Sequence, residues 1–141
     1  MNKMKIEFDA VSENEAFARV CVAAFAARLD PTLEEINDVK TAVSEAVTNS
    51  IIHGYEEKGG IIEMSVEVED NQITIKIRDY GRGIEDVEQA MMPMFTTGED
   101  KERSGMGFTF MEVFMDRLTV NSKLGEGTEV VMSKRFGEQG E

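Results

Sequence analysis

Apolar and polar residues alternate at the start of the chain, with Met4, Ile6 and Phe8 set against Lys3, Lys5, Glu7 and Asp9. A period of two predicts a strand with one buried face. The period then changes. Ser12-Glu13-Asn14-Glu15 has the form of a capping box, a hydroxyl followed three residues later by a carboxylate. It predicts a helix to about Leu29, with Phe17, Val20, Cys21, Ala24 and Phe25 at helical spacing, broken by Asp30-Pro31. Thr32-Leu33-Glu34-Glu35 repeats the box. Leu33, Ile36, Val39, Val43, Ala46, Val47 and Ile51 then give a second helix a broad apolar face, ending near Gly54 as a C-terminal cap.

Alternation returns over 61–69, where Ile62, Met64, Val66 and Val68 oppose Glu63, Ser65, Glu67 and Glu69. Asp70-Asn71 suits a two-residue hairpin turn. The return strand places Ile73, Ile75 and Ile77 on one side and Thr74, Lys76 and Arg78 on the other. Strands with one wet face predict an α+β fold, an antiparallel sheet covered by helices on one side only. A glycine-rich turn at Asp79–Gly83 and a short helix around Val87–Met91 follow. Residues 93–104 lack periodicity and read as a mobile loop. Gly105-Met106-Gly107 opens a helix whose Phe108, Phe110, Met111, Val113, Phe114 and Met115 are core by default. Leu118 and Val120 begin a strand, Gly125-Glu126-Gly127 turns it, and Val130 and Met132 continue the last one. The tail from Gly137 to Glu141 is expected to be disordered.

The bulk numbers narrow the class. At 141 residues, 41% hydrophobic and 30% charged, the chain reads as one domain with a real core. A net charge of −13 disfavours nucleic acid and anionic membranes as partners. It also means that a phosphate ligand must be held by backbone dipoles and a metal. The lone Cys21 and the absence of an apolar leader fit a cytoplasmic protein. One His and one Cys make a zinc site a poor reading.

Three stretches carry possible chemistry. Glu45 and Asn49 stand one helical turn apart on the same face. By spacing alone they are a solvated pair before they are a site. Asp79-x-Gly81-x-Gly83 directly follows a strand, so Asp79 would present an acceptor beside an opening that the glycines keep clear. Alone, it is a tight strand-to-helix turn with a capping Asp before it is a site. Ser104-Gly105-Met106-Gly107 lies at a helix start, where free N–H groups attract anions, yet a simple helix cap has the same form. His53 reads as structural at a helix end, and Arg19 as a surface residue or a partner contact.

The order of these stretches is more specific than any one of them. Glu45-x-x-x-Asn49, then Asp79-x-Gly81-x-Gly83, a loop, Gly105-x-Gly107 and a late Gly127-Thr128 resemble the GHKL ATPases, which include gyrase and the histidine kinases. Glu45–Gly54 is similar to their N box, the two glycine clusters to their glycine boxes, and 93–104 to their ATP lid. Glu45–Tyr55, Pro93–Thr97 and Glu102–Thr109 further resemble the anti-sigma-factor serine kinases of spore-forming bacteria, over residues 4 to about 134.

That resemblance implies a two-layer sandwich of the Bergerat type with a mixed, mostly antiparallel sheet. It implies ATP or ADP and Mg²⁺ as cofactors, with Asn49 as the metal ligand. Asp79 would accept from the adenine amino group, with a water shared by Thr128. Gly81 and Gly83 would admit the base, and Thr97 with Ser104, Gly105, Met106 and Gly107 would meet the phosphates. Glu45 would act on a serine hydroxyl of a protein substrate, an anti-anti-sigma factor. The same protein, as a homodimer, would sequester a sporulation sigma factor, with Arg19 as a partner contact. The chain departs from the family at Gly98-Glu99-Asp100, where Lys-Pro-Glu is expected, and at Ser50, where Ala is usual. Lys101 and Arg103 are the candidates to replace the missing lid cation. A nucleotide-gated sigma-binding module with little catalysis, or an ATPase fragment of a larger assembly, would use the same motifs.

Overall fold

The elements run β1 (Asn2–Asp9), α1 (Glu13–Ala26), α2 (Leu33–Asn49), β2 (Ile61–Glu69), β3 (Gln72–Asp79), α3 (Val87–Ala90), α4 (Phe108–Phe114), β4 (Arg117–Lys123) and β5 (Gly127–Arg135). A computed structural model describes residues 1–92 and 107–137. Thr97, Ser104, Gly105 and Met106, the rest of the expected lid, and residues 138–141 lie outside the described residues.

The strands form one sheet in the order β1-β2-β3-β5-β4. The mixed sheet that the resemblance implies is antiparallel in all four pairings described. Asp70 and Asn71, at φ 54° and 64°, make the β2–β3 turn with the left-handed geometry that suits the strand twist. One face of the sheet is apolar: Ile62, Met64 and Val66, Ile73, Ile75 and Ile77, and Val130 and Met132 are all buried. Fully burying one such side chain contributes about 1.5–3 kcal/mol. The other face carries polar residues, including ion pairs Lys5–Glu63 and Lys76–Glu129 at 3.8 Å. Helices α1, α2 and α4 complete the core on the apolar side through Ala18 and Val22, Val39 and Val43, and Phe108 and Met111.

The second capping box forms in full. Thr32 Oγ1 accepts from the Glu35 N–H at 3.1 Å, and Glu35 Oε1 accepts from the Thr32 N–H at 2.8 Å. The first does not. Ser12 has helical backbone angles (φ −55°, ψ −36°) and makes no side-chain cap bond. Instead Asn14 Nδ2 donates to the Asp9 carbonyl at 2.9 Å, tying the helix start to the end of β1.

The face of α1 also departs from expectation. Its buried stripe is Ala18, Val22 and Ala26, while Phe17 and Val20 are 52% and 63% exposed, and Ala24 is exposed too. Both stripes have helical period, and the small side chains are the ones that let α1 lie close to α2. Leu33, at the first position of α2, and Phe110 and Val113 on α4 are also exposed and not core.

Candidate functional site

Helix α2 carries Glu45 and Asn49 in its last turns and then widens. A π-helical turn spans Ser50–Gly54, with the Tyr55 N–H donating to the Ser50 carbonyl at 2.8 Å. Such widened turns re-aim side chains and are frequent at functional sites. Here the turn buries Ser50 against the end of β3. Ser50 Oγ donates to Asp79 Oδ2 at 2.8 Å, and the Gly81 N–H donates to Asp79 Oδ1 at 3.0 Å. One bond to each oxygen fixes the rotation of a carboxylate that is only 3% exposed.

Strand register brings the next residues in line. Asp79 pairs with Thr128 across β3 and β5, and Thr128 pairs with Ser122 across β5 and β4. Ser122 Oγ lies 2.8 Å from Thr128 Oγ1, donates to the Gly127 carbonyl at 2.9 Å and accepts from the Ile84 N–H at 2.7 Å. Tyr55 closes the other side. Its hydroxyl donates to the Ile61 carbonyl at 2.6 Å and accepts from the Tyr80 N–H at 2.7 Å.

Between these elements lies a cleft. Asn49, Ser50, His53, Asp79 and Thr128 supply its polar lining, and Ala46, Ile84, Phe108 and Val130 its apolar lining. Apolar walls with a few polar groups among them suit a small heteroaromatic ligand. The sequence-predicted Asn49, Asp79, Gly83 and Thr128 thus meet in one place. Ser50 and His53 join them, although spacing assigned them little; Ser122 and Tyr55 support the same site. Of these, only Ser50, which departs from the Ala that the resemblance leads one to expect, carried a signal in the sequence.

The glycines prove to be packing positions as well. A side chain at Gly81 would strike the Gly54 carbonyl. Gly83, at φ 80°, runs against the Lys123 carbonyl. Backbone contact therefore excludes larger residues there. Gly107, at φ 71°, abuts the Glu45 carboxylate, so the described end of the second glycine box touches the N-box helix.

Glu45 is partly buried one turn before Asn49. Burial, and secondarily the negative charge of Glu15, push its carboxyl above the ordinary glutamate value. Glu15 itself is paired with Arg19 at 2.7 Å on α1. Arg19 is not among the residues that line the cleft. Among the described residues no group of three His, Cys, Asp or Glu could hold a metal by itself. The Asn49 side-chain oxygen fits a hard cation such as Mg²⁺ that takes its other ligands from phosphate and water. No helix among the described residues is long and apolar enough to cross a membrane.

Comparison with known proteins shows the family. The family model of the histidine kinase-like ATPase domain matches residues 8–134. An anti-sigma F factor of Clostridium beijerinckii is 63% identical over 136 residues, covering 96% of this chain and 95% of its own. One from Thermoanaerobacter sp. is 60% identical over the same length, at the same coverage. Among solved structures, the RsbU and RsbW domains of Rv1364c from Mycobacterium tuberculosis superpose with a TM-score of 0.66 at 18% identity, covering 96% of this chain and 32% of that one. The histidine kinase domain of the Erythrobacter litoralis EL346 blue-light activated kinase gives 0.58 at 17% identity, covering 89% and 62%. These two likenesses concern the fold. From the family model and the near-full-length relatives, the chain belongs to the histidine kinase-like ATPases of the GHKL superfamily and, within them, to the anti-sigma F factor group.

Proposed function

We propose that this protein is an anti-sigma factor and an ATP-dependent protein serine kinase, which sequesters a sporulation sigma factor and phosphorylates a serine of its anti-anti-sigma factor. The observation that carries the catalytic half is the place of Glu45. It stands one turn from Asn49, against the start of α4, with a carboxyl made more basic by burial. In this reading the cleft takes adenine at Asp79 and Thr128, with Gly81 and Gly83 admitting the base. Asn49 helps hold Mg²⁺, which supplies charge neutralisation at the phosphates. The resemblance implies phosphate contacts for Thr97 and for Ser104, Gly105, Met106 and Gly107, of which only Gly107 lies among the described residues. Glu45 orients the attacking serine hydroxyl and accepts its proton; positioning matters more than basicity in such a transfer.

The partner half draws on the relatives' name and on surface features. Edge strand β1 and the exposed Phe17 and Val20 of α1 offer a subunit contact for a homodimer. Arg19, beside that stripe, is the proposed contact for an acidic group on a partner. One cytoplasmic domain spanning the chain would suffice for both activities.

The test is incubation with Mg·ATP and a serine-bearing partner protein, read by phosphoserine. Glu45→Gln should leave ADP affinity within a small factor and lower transfer about 100-fold or more. Full transfer by that variant would remove Glu45 from the mechanism. No transfer by the unaltered protein, with nucleotide-dependent partner binding intact, would leave the nucleotide-gated binding module instead.

A further inference from the structure

We propose that Lys134 is a positioning residue for the transfer: it ties the far end of α4 to α2, and so sets how the start of α4 meets the Glu45 carboxylate. This rests on the kinase reading above and extends it to Lys134 and Asp38.

Lys134 stands where alternation calls for an apolar side chain. The row of β5 that faces the helices runs Thr128, Val130, Met132 and then Lys134, with Phe136 beyond it. Val130, Met132 and Phe136 are buried. The Lys134 side chain is only 14% exposed. An ammonium held so far from water is unfavourable unless it is paired. Its two partners belong to different helices. Lys134 Nζ donates to the Phe114 carbonyl at 2.9 Å and lies 3.7 Å from Asp38 Oδ2. Phe114 is the last residue of α4, so its carbonyl has no partner within that helix. Asp38 lies on α2.

The same two helices meet again at the site. Gly107, which opens α4, abuts the Glu45 carboxylate of α2. Asp38 and Glu45 share one stripe of α2, two turns and about 10 Å apart along its axis. From Gly107 to Phe114, α4 covers about the same length. The helices thus run side by side in opposite senses and are joined at both ends of matching spans. A helix of 7 residues has little stability of its own, so its place is set by what holds its ends. Lys134 holds one end, and the other bears on Glu45. Releasing Phe114 lets α4 shift against α2, and the Glu45 carboxylate loses one of the walls that fix its direction. Neither Lys134 nor Asp38 lines the cleft, so the effect falls on the orientation of that carboxylate more than on nucleotide binding.

The experiment is steady-state phosphotransfer from Mg·ATP to the anti-anti-sigma factor of the same organism, with kcat and KM measured separately, beside urea unfolding of the full chain. Lys134→Met keeps a long stem and removes the charge. It should lower kcat about tenfold, the scale of a small misplacement of a catalytic group, with KM for the protein substrate unchanged within about twofold. Lys134→Arg keeps a charged donor and should restore most of kcat. Asp38→Asn alters a side chain that water reaches, and should lower kcat in the same direction; it keeps the test open if Lys134→Met folds poorly. Because both act through one link, the double variant should lose little more than Lys134→Met alone. A merely structural role predicts a lower urea midpoint with kcat per folded molecule unchanged, and that result overturns the proposal. A loss confined to KM, or losses that simply multiply in the double variant, also overturn it while the kinase reading stands. Absence of transfer by the unaltered protein overturns the kinase reading and this inference with it.

Discussion

Tyr55→Phe tests how the base end of the cleft is held. The tyrosine hydroxyl joins three segments: the π-helical turn that carries it, the start of β2 through the Ile61 carbonyl, and the residue after Asp79 through the Tyr80 N–H. Burial pushes its phenol above the ordinary value, so it remains a donor throughout the neutral range. Phenylalanine keeps the ring, which packs where a side chain at Gly60 would otherwise lie, and removes only the hydroxyl. Two hydrogen bonds of about 0.5–1.5 kcal/mol each are lost. Both are accessible to solvent, so water recovers part of the loss. The net destabilisation should be about 1–2 kcal/mol, or roughly 3–6 °C in Tm for a chain of this size. Urea unfolding should show a lower midpoint with an unchanged slope. Because the released N–H belongs to the neighbour of Asp79, ADP affinity should fall too, by about threefold for a partial hydrogen-bond loss. An unchanged midpoint together with unchanged ADP affinity would refute the reasoning.

Four further outcomes are expected. Glu45 must be ionised to accept a proton, so transfer should fall on the acid side as pH drops through its raised pKa. Glu15→Gln removes the secondary, like-charge cause of that rise, which favours the carboxylate; the acid limb of the kcat/KM profile should move to lower pH, and a stationary limb would exclude the coupling. Thr32→Ala should cost about 1 kcal/mol of stability by chemical denaturation, through the capping box it forms with Glu35, while leaving ADP affinity unchanged. Gly83→Ala combines a left-handed φ of 80° with a collision at the Lys123 carbonyl, so it should destabilise the fold by more than about 1 kcal/mol and abolish measurable ADP binding.

Much of the architecture was legible from alternation, because a sheet with one wet face writes its burial directly into the chain. The inward Ile and Val residues of β2 and β3 are those that the period of two selects. Helix α1 was harder. Phe17–Val20–Ala24 and Ala18–Val22–Ala26 share one period, and hydropathy favours the larger residues, whereas close helix packing favours the smaller. The Ser12 box failed for a conformational reason: a cap needs an extended backbone, and Ser12 is helical. Asn49, Asp79, Gly83 and Thr128 could be grouped from motif order. The bonds that set their chemistry could not, since Ser50–Asp79 spans 29 residues and Tyr55–Tyr80 spans 25. Side-chain bonds over such distances depend on the register of β3 against β5 and on the π-helical turn, neither of which a local pattern encodes.

The most direct test of the kinase proposal is mass spectrometry of the protein partner after incubation with Mg·ATP and the unaltered chain, with Glu45→Gln in parallel. The proposal predicts a single phosphoserine on the partner, present with the unaltered protein and lost with Glu45→Gln, although both bind ADP. A partner that stays unmodified while ATP is bound, or one phosphorylated equally by both proteins, would contradict it.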